Sequence, residues 1–292
     1  MDMYVDGVFS GGGMKAIALV GALQVTEERG IQFRRVAGTS AGSIMAAFVA
    51  AGFRSPEILQ VLEEFDTRKF MDAPKTFFPL FKWVRLYWKL GLYKGNELEN
   101  WVEERLKGRG IRTFADIPKG SLRIIASDLT RGEIVIIPDD LYKYGLRSDN
   151  FSIAKAVRMS CSLPYFFQPV KLYSVNGEKS IIVDGGMLSN FPVWLFMREN
   201  RRPVLGFKLS ANLENTPEHK IKNGIDMYHA LFATMKDAHD ARYISSTFKD
   251  STIFIPVNSV LVEEFEISKA KKEQMIMLGR NRAENFFKNW SY

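Results

Sequence analysis

At 292 residues, with 46% hydrophobic and 25% charged positions, the chain has a globular composition, and α/β domains reach this length as one unit, so 1–292 reads as a single domain. One cysteine excludes an internal disulfide; with no charged, apolar leader and no run of 18 apolar residues, a cytoplasmic protein with access to membrane surfaces is expected. A net charge of +7 suits anionic partners, but no helix-turn-helix, zinc-finger or single-strand-binding signature accompanies it, so nucleic acid is not an expected partner.

In chain order, Tyr4 to Phe9 reads as a buried strand, and Ser10-Gly11-Gly12-Gly13-Met14-Lys15 leads from it into a helix, Ala16 to Arg29, stopped by Gly30. Three glycines between a strand and a helix leave unhindered N–H groups at a helix N-terminus, a ready anion site. The anion is either a phosphate or the oxyanion of an acyl-transfer intermediate. Lys15 is followed by Ala16, which does not fit a Walker loop, while Gly11, Gly13 and Ala16 keep a dinucleotide-type spacing open.

Phe33 to Ala37 is the next strand, followed by Gly38-Thr39-Ser40-Ala41-Gly42 and a helix-forming run that ends at Gly52. Strand, tight turn and helix make the setting of a nucleophile elbow, with Ser40 at the apex in a strained backbone. Gly38 and Gly42 leave room where a Cβ would clash, and the Ala41 N–H and the helix dipole point at any oxyanion formed there. Ser40 lies 29 residues after Gly11, about one βαβ crossover, so both loops should emerge at one edge of a parallel sheet.

From Ala73 to Asn96 no acidic residue occurs, while lysines and an arginine alternate with aromatic residues. If Pro79 opens a helix, Lys82, Arg85 and Lys89 form a stripe about 60° wide beside Phe81, Trp83 and Trp88. That composition belongs to an interfacial helix, and the segment is the candidate lid over Ser40 and the candidate peripheral membrane contact. The competing reading is a helix packed on the core with solvated lysines.

A helix is expected from Gly95 to Lys107, closed by Gly108. Leu122–Ser127 and Glu133–Pro138 form a hairpin at one sheet edge, turned at Thr130-Arg131-Gly132, and Ser152 begins a further helix. The strand Lys179–Val183 delivers Asp184-Gly185-Gly186 at its C-terminal end, where α/β sheets collect their ligands. An aspartate, with an ordinary pKa near ~3.9, helps a serine only where water is excluded and the hydrogen bond is short. Further strands are expected at Pro203–Leu209 and Thr252–Val257, and Ser268 caps a last helix to about Asn289 in a largely helical region, 210–292. His219, His229 and His239 fall ten residues apart in one helical stretch and its approach, on different faces, and read as surface or boundary residues. Only ~40 residues precede Ser40, room for about two strands, which argues against an ordinary α/β-hydrolase.

Together, Gly11-Gly12-Gly13-Met14-Lys15, Gly38-Thr39-Ser40-Ala41-Gly42 and Asp184-Gly185-Gly186 resemble the patatin-like phospholipases. Ala156 to Phe167 resembles that family's block before the aspartate and Asn190-Phe191-Pro192 its continuation, so the resemblance runs from about Met3 to Leu209. It implies a three-layer α/β/α fold with a mainly parallel central sheet. By the same resemblance Ser40 is the nucleophile, Asp184 the base, and Gly11, Gly12 and Gly13 the oxyanion donors, joined by Ala41 of the elbow; Gly38, Gly42, Gly185 and Gly186 are elbow and turn glycines. The implied reaction is hydrolysis of a phospholipid or other lipid ester, of phospholipase A or lysophospholipase type, with no metal or cofactor. Cys161 departs from the pattern, standing where the family more often has a small apolar residue. The alternative is an inactive lipid-binding or membrane-docking module, which would bind anionic vesicles while Ser40 resists a fluorophosphonate. Nothing in the chain marks an oligomeric state.

Overall fold

The computed structural model describes residues 3–64, 86–197, 199, 202–210, 221–224, 226–227, 230–235, 250–257 and 268–290. Residues 3–63 give β1 (Met3–Phe9), α1 (Ile17–Glu28), β2 (Ile31–Thr39), α2 (Ala41–Ala50) and α3 (Ser55–Glu63). Then come β3 (Gly91–Tyr93), α4 (Asn96–Lys107), β4 (Leu122–Asp128), β5 (Glu133–Ile137), α5 (Ile153–Ser160), β6 (Tyr165–Phe167), β7 (Val170–Tyr173) and β8 (Lys179–Asp184). The C-terminal part supplies β9 (Val204–Ser210), β10 (Thr252–Pro256) and α6 (Lys269–Asn289).

Strands β10, β9, β1, β2 and β4 pair in that order and all in parallel, while β5, β8 and β7 add antiparallel pairs at one side. Parallel strands lie covered on both faces, so they are buried along a continuous run rather than at alternate positions; Val5 to Phe9 is buried at every position, Asp6 included. Helices flank this mostly parallel sheet, as expected. Helix α1 is buried from Ile17 through Leu23 because α6 covers the side that the sheet does not. Two glycines allow that contact: a Cβ on Gly21 would stand 2.0 Å from Ile276 O, and one on Gly279 1.9 Å from Ala18 O. The two helix backbones therefore touch, which fixes a C-terminal helix that carries no motif.

Several elements differ from expectation. Helix α3 and the three- and four-residue strands β3, β6 and β7 are additional. In the candidate lid, Phe81, Lys82, Trp83 and Arg85 lie outside the described residues. Trp88 and Lys89 are exposed on a short helical turn, with Tyr87 and Trp88 76% and 74% accessible. That turn ends at Leu90, whose φ is 59°, and the chain becomes β3, paired in parallel with β6. Among the described residues no helix is long and apolar enough to cross a membrane.

The feature that positions the site is an irregularity beside β4. Residues 124–125 of β4 pair with β2 on one side and β5 on the other, and residues 126–128 pair with both β8 and β5. Strands β2 and β8 therefore occupy the same edge of β4, one after the other. β2 runs up that edge and stops at Thr39, opposite Ile125; β8 runs down it and stops at Asp184, opposite Ala126. The aspartate thus sits at the C-terminal end of its strand as expected, but on a strand antiparallel to β4, entering from the opposite direction. One residue of strand rise, about 3.3 Å, separates the two levels. The tips of β2 and β8 meet head to head.

Candidate active site

Ser40 follows Thr39 at the tip of β2 and takes φ 52°, ψ −129°, a conformation that disfavours any side chain and is held only when the surroundings enforce it. Helix α2 starts at the next residue, so the Ala41 N–H has no partner within the helix and the positive end of the dipole faces the turn. The turn packs tightly against the end of β1: a Cβ on Gly42 would lie 2.3 Å from Phe9 O and 2.5 Å from Ser10 O, and one on Gly38 would lie 2.2 Å from Gly42 O. Both glycines are required by close approach, as expected. Ser40 itself is half-buried.

Asp184 is 2% accessible, and its carboxylate accepts the Gly186 N–H at 2.7 Å. Gly185 brings the turn against the elbow: a Cβ there would meet Ile125 O at 2.2 Å and the Thr39 methyl at 3.0 Å. Other buried carboxylates are engaged elsewhere. Asp6 accepts from Arg35 at 3.0 and 2.5 Å, and Asp128 from the Tyr144 hydroxyl at 2.9 Å and the N–H groups of Thr130 and Arg131. His219, His229 and His239 lie outside the described residues.

Cys161 sits where Ser40, Ser43 and Asp184 converge. Burial, and then the Asp184 charge, push its thiol up to about 12, against hydrogen bonds with Ser43 and Ser40 and the charge of Arg158, which act in the other direction. The Ser43 hydroxyl is 3.9 Å from the sulfur. A thiol that stays protonated to such a pH is a poor nucleophile. Iodoacetamide at pH 8 is accordingly expected to leave the native protein unmodified and to alkylate one thiol per chain after unfolding, read by intact mass; alkylation of the native protein at the unfolded rate would contradict this burial.

The glycine loop is anchored from below, with Ser10 N–H donating to Phe207 O and Ser10 Oγ accepting Leu209 N–H, at 3.0 and 2.9 Å. Its three N–H groups are not equivalent. Gly11 differs from expectation: its N–H donates to Asn190 O at 3.1 Å, so it is not free to bind an oxyanion. For Gly12 and Gly13 no acceptor occurs among the described residues, and they are half-buried and exposed. Gly11 is needed for another reason, since a Cβ there would stand 2.5 Å from Asn190 Oδ1 and 3.1 Å from Ser40 Cβ.

In the sequence Asn190 belongs to a motif that assigns it no role. The structure sets it between the two loops, accepting from Gly11 and with its side chain also 3.4 Å from where a Gly186 Cβ would lie. Ser162 was likewise only part of a block; its carbonyl accepts the Asp184 N–H at 2.9 Å and its hydroxyl bonds the buried Arg158. Arg158 also donates to Gln168 O at 2.7 Å and to Lys94 O, tying β3 and β6 to this loop. No spacing rule flags these residues, because each acts on a partner far away in sequence.

Residues 7–197 match the family described as Patatin-like phospholipase. Over 292 residues the chain is 52% identical to the uncharacterized protein YqhO of Bacillus subtilis (strain 168), covering 99% of this chain and 100% of that one. Among solved structures it resembles VipD from Legionella pneumophila, with TM-score 0.58 and 17% identity over 98% of this chain and 67% of that chain. It also resembles ExoU of Pseudomonas aeruginosa in its complex with SpcU, with TM-score 0.52 and 18% identity over 98% and 51% of the two chains. At those identities the two structures speak for the fold.

Proposed function

The chain belongs to the patatin-like phospholipase family, and from that premise we propose that it is a lipid acyl hydrolase of phospholipase A or lysophospholipase type working through Ser40 and Asp184. The observation that carries this reading is the head-to-head meeting of β2 and β8: the strained Ser40 follows directly on Thr39, whose level on β4 is one residue from that of the buried Asp184 on the same edge.

In this reading Ser40 Oγ attacks the ester carbonyl carbon while Asp184 takes the hydroxyl proton. The oxyanion accepts from Gly12, Gly13 and Ala41 N–H groups, each contributing about 2.7–4 kcal/mol in the transition state. The C–O bond to the leaving alcohol then breaks, and the alcohol departs with the proton held by Asp184. Water, losing a proton to Asp184, attacks the acyl-serine, and the fatty acid leaves as Ser40 is re-protonated. Burial of Asp184 is what lets so weak a base act, since the low-dielectric surroundings strengthen its bond to the hydroxyl. Exposed Tyr87, Trp88 and Lys89 supply aromatic and basic contacts of the kind a lipid surface offers, so the substrate is drawn from a membrane.

The test is incubation with a mixed lipid extract, followed by mass spectrometry. Phospholipids or lysophospholipids are expected to disappear as free fatty acid accumulates. An extract whose lipid esters all persist, with anionic and with zwitterionic vesicles alike, would sink the reading.

A further inference from the structure

The meeting of β2 and β8 leaves one hydrogen-bond rung of the sheet unfilled, and Ser160 fills it. In a parallel ladder each strand donates from every second residue. Between β2 and β4 the series opens with Val36 N–H to Ser121 O at 2.7 Å, so with the observed register the next rungs are Gly38 to Arg123 and then Ser40 N–H to Ile125 O. That last rung does not form directly. Ser40 has turned into its strained conformation, and its N–H donates instead to Ser160 Oγ at 2.8 Å, while the Ser160 hydroxyl donates to Ile125 O at 2.5 Å. Ser160 is the last residue of α5, fully buried and 120 residues from Ser40.

We propose that Ser160 is a positioning residue for the nucleophile. Its hydroxyl is a spacer inserted into the ladder, one oxygen wide. Without it Ser40 would either be pulled into line with β2, its side chain following the strand, or leave a buried N–H and a buried C=O unpaired, each a substantial penalty. With it, the elbow holds its turn and both backbone groups are satisfied. The bond also withdraws the Ser40 N–H from the oxyanion, leaving that task to the groups named above.

This inference rests on the proposed hydrolase reading and is tested with a fluorophosphonate, which reports attack by Ser40 alone. Ser160→Ala keeps the volume near Cβ but cannot bridge; Ser160→Gly leaves room for a water to do so. At a temperature well below the melting point of each variant, the alanine protein is expected to react about tenfold more slowly than wild type. The glycine protein should recover part of that loss, and the KM for a lipid ester should be unchanged in both. Hydrogen exchange at the Ser40 amide should speed up in the alanine variant. A wild-type reaction rate in a folded alanine variant assigns the hydroxyl to stability alone and overturns the inference, as does failure of both variants to fold. If the wild-type protein itself does not react, it is the hydrolase reading that fails, and the amide-exchange comparison still decides whether Ser160 holds the turn.

Discussion

Ser40→Ala is expected to lower release of fatty acid from lipid esters by about ten-thousand-fold or more, the scale on which removal of a nucleophile acts when other transition-state contacts remain. The folded state should survive, because the elbow is held by backbone packing at Gly38 and Gly42 and by the Ser160 bridge, none of which uses the Ser40 hydroxyl. With φ 52° and ψ −129°, Ser40 occupies a region that costs a side-chain-bearing residue about 1–3 kcal/mol and a glycine almost nothing. Ser40→Gly should therefore be inactive yet melt at or above wild-type temperature, by up to roughly 3 °C once the extra freedom of an unfolded glycine is set against the relief. Asp184→Asn gives the complementary result. An amide oxygen can still accept the Gly186 N–H, so the turn persists, but the amide cannot take the serine proton, and activity should fall about a thousandfold or more. Fatty-acid release and thermal melting of the three variants check this together. A folded Ser40→Ala protein retaining more than about one per cent of wild-type activity would remove the mechanism.

The parts of this site that could be read from the chain are those where chemistry is local. Gly11-Gly12-Gly13 between an apolar strand and a helix, and Ser40 between Gly38 and Gly42, carry their meaning in consecutive residues, since the need for small side chains is set by the turn itself. The helix caps at Ser152 and Ser268 were legible for the same reason, each accepting the N–H three residues on. What could not be read was pairing. Lys179–Asp184 looks like any strand ending in a turn, and nothing in it says that it is antiparallel and shares an edge with β2; that depends on where β4 lies, over 50 residues earlier. The different fates of the three loop N–H groups depend on Asn190, and the bridge to Ser40 on Ser160, a serine in an ordinary amphipathic helix. Strands β3 and β6 are three residues long and have no period to detect. At the described end of the candidate lid the helical turn stops at Leu90 because Gly91 must lie against the backbone of Phe167 and Gln168, 2.4–2.5 Å from any Cβ, a contact invisible from composition.

Gly42→Ala is expected to be severely damaging to the fold of the site. The added methyl would point at two carbonyl oxygens, Phe9 O at 2.3 Å and Ser10 O at 2.5 Å, and both belong to the backbone where β1 ends. No rotamer change relieves such a contact. Either α2 slides away from β1, opening the core around the fully buried Phe9 and Phe48, or the glycine loop lifts off the elbow. Overpacking against a rigid backbone costs about 3 kcal/mol or more, a large part of the 5–15 kcal/mol that holds a domain together, and roughly 6 °C or more of melting temperature. Gly13→Ala is the control. That glycine has positive φ, 57°, which Gly42 does not, but nothing stands within 4 Å of its missing Cβ, so only backbone strain of about 1 kcal/mol opposes the methyl. Thermal melting of the two variants side by side separates crowding from strain. Equal losses would mean that the elbow and the end of β1 are not in contact, and the glycine loop would then be too far from Ser40 to hold an oxyanion formed on it.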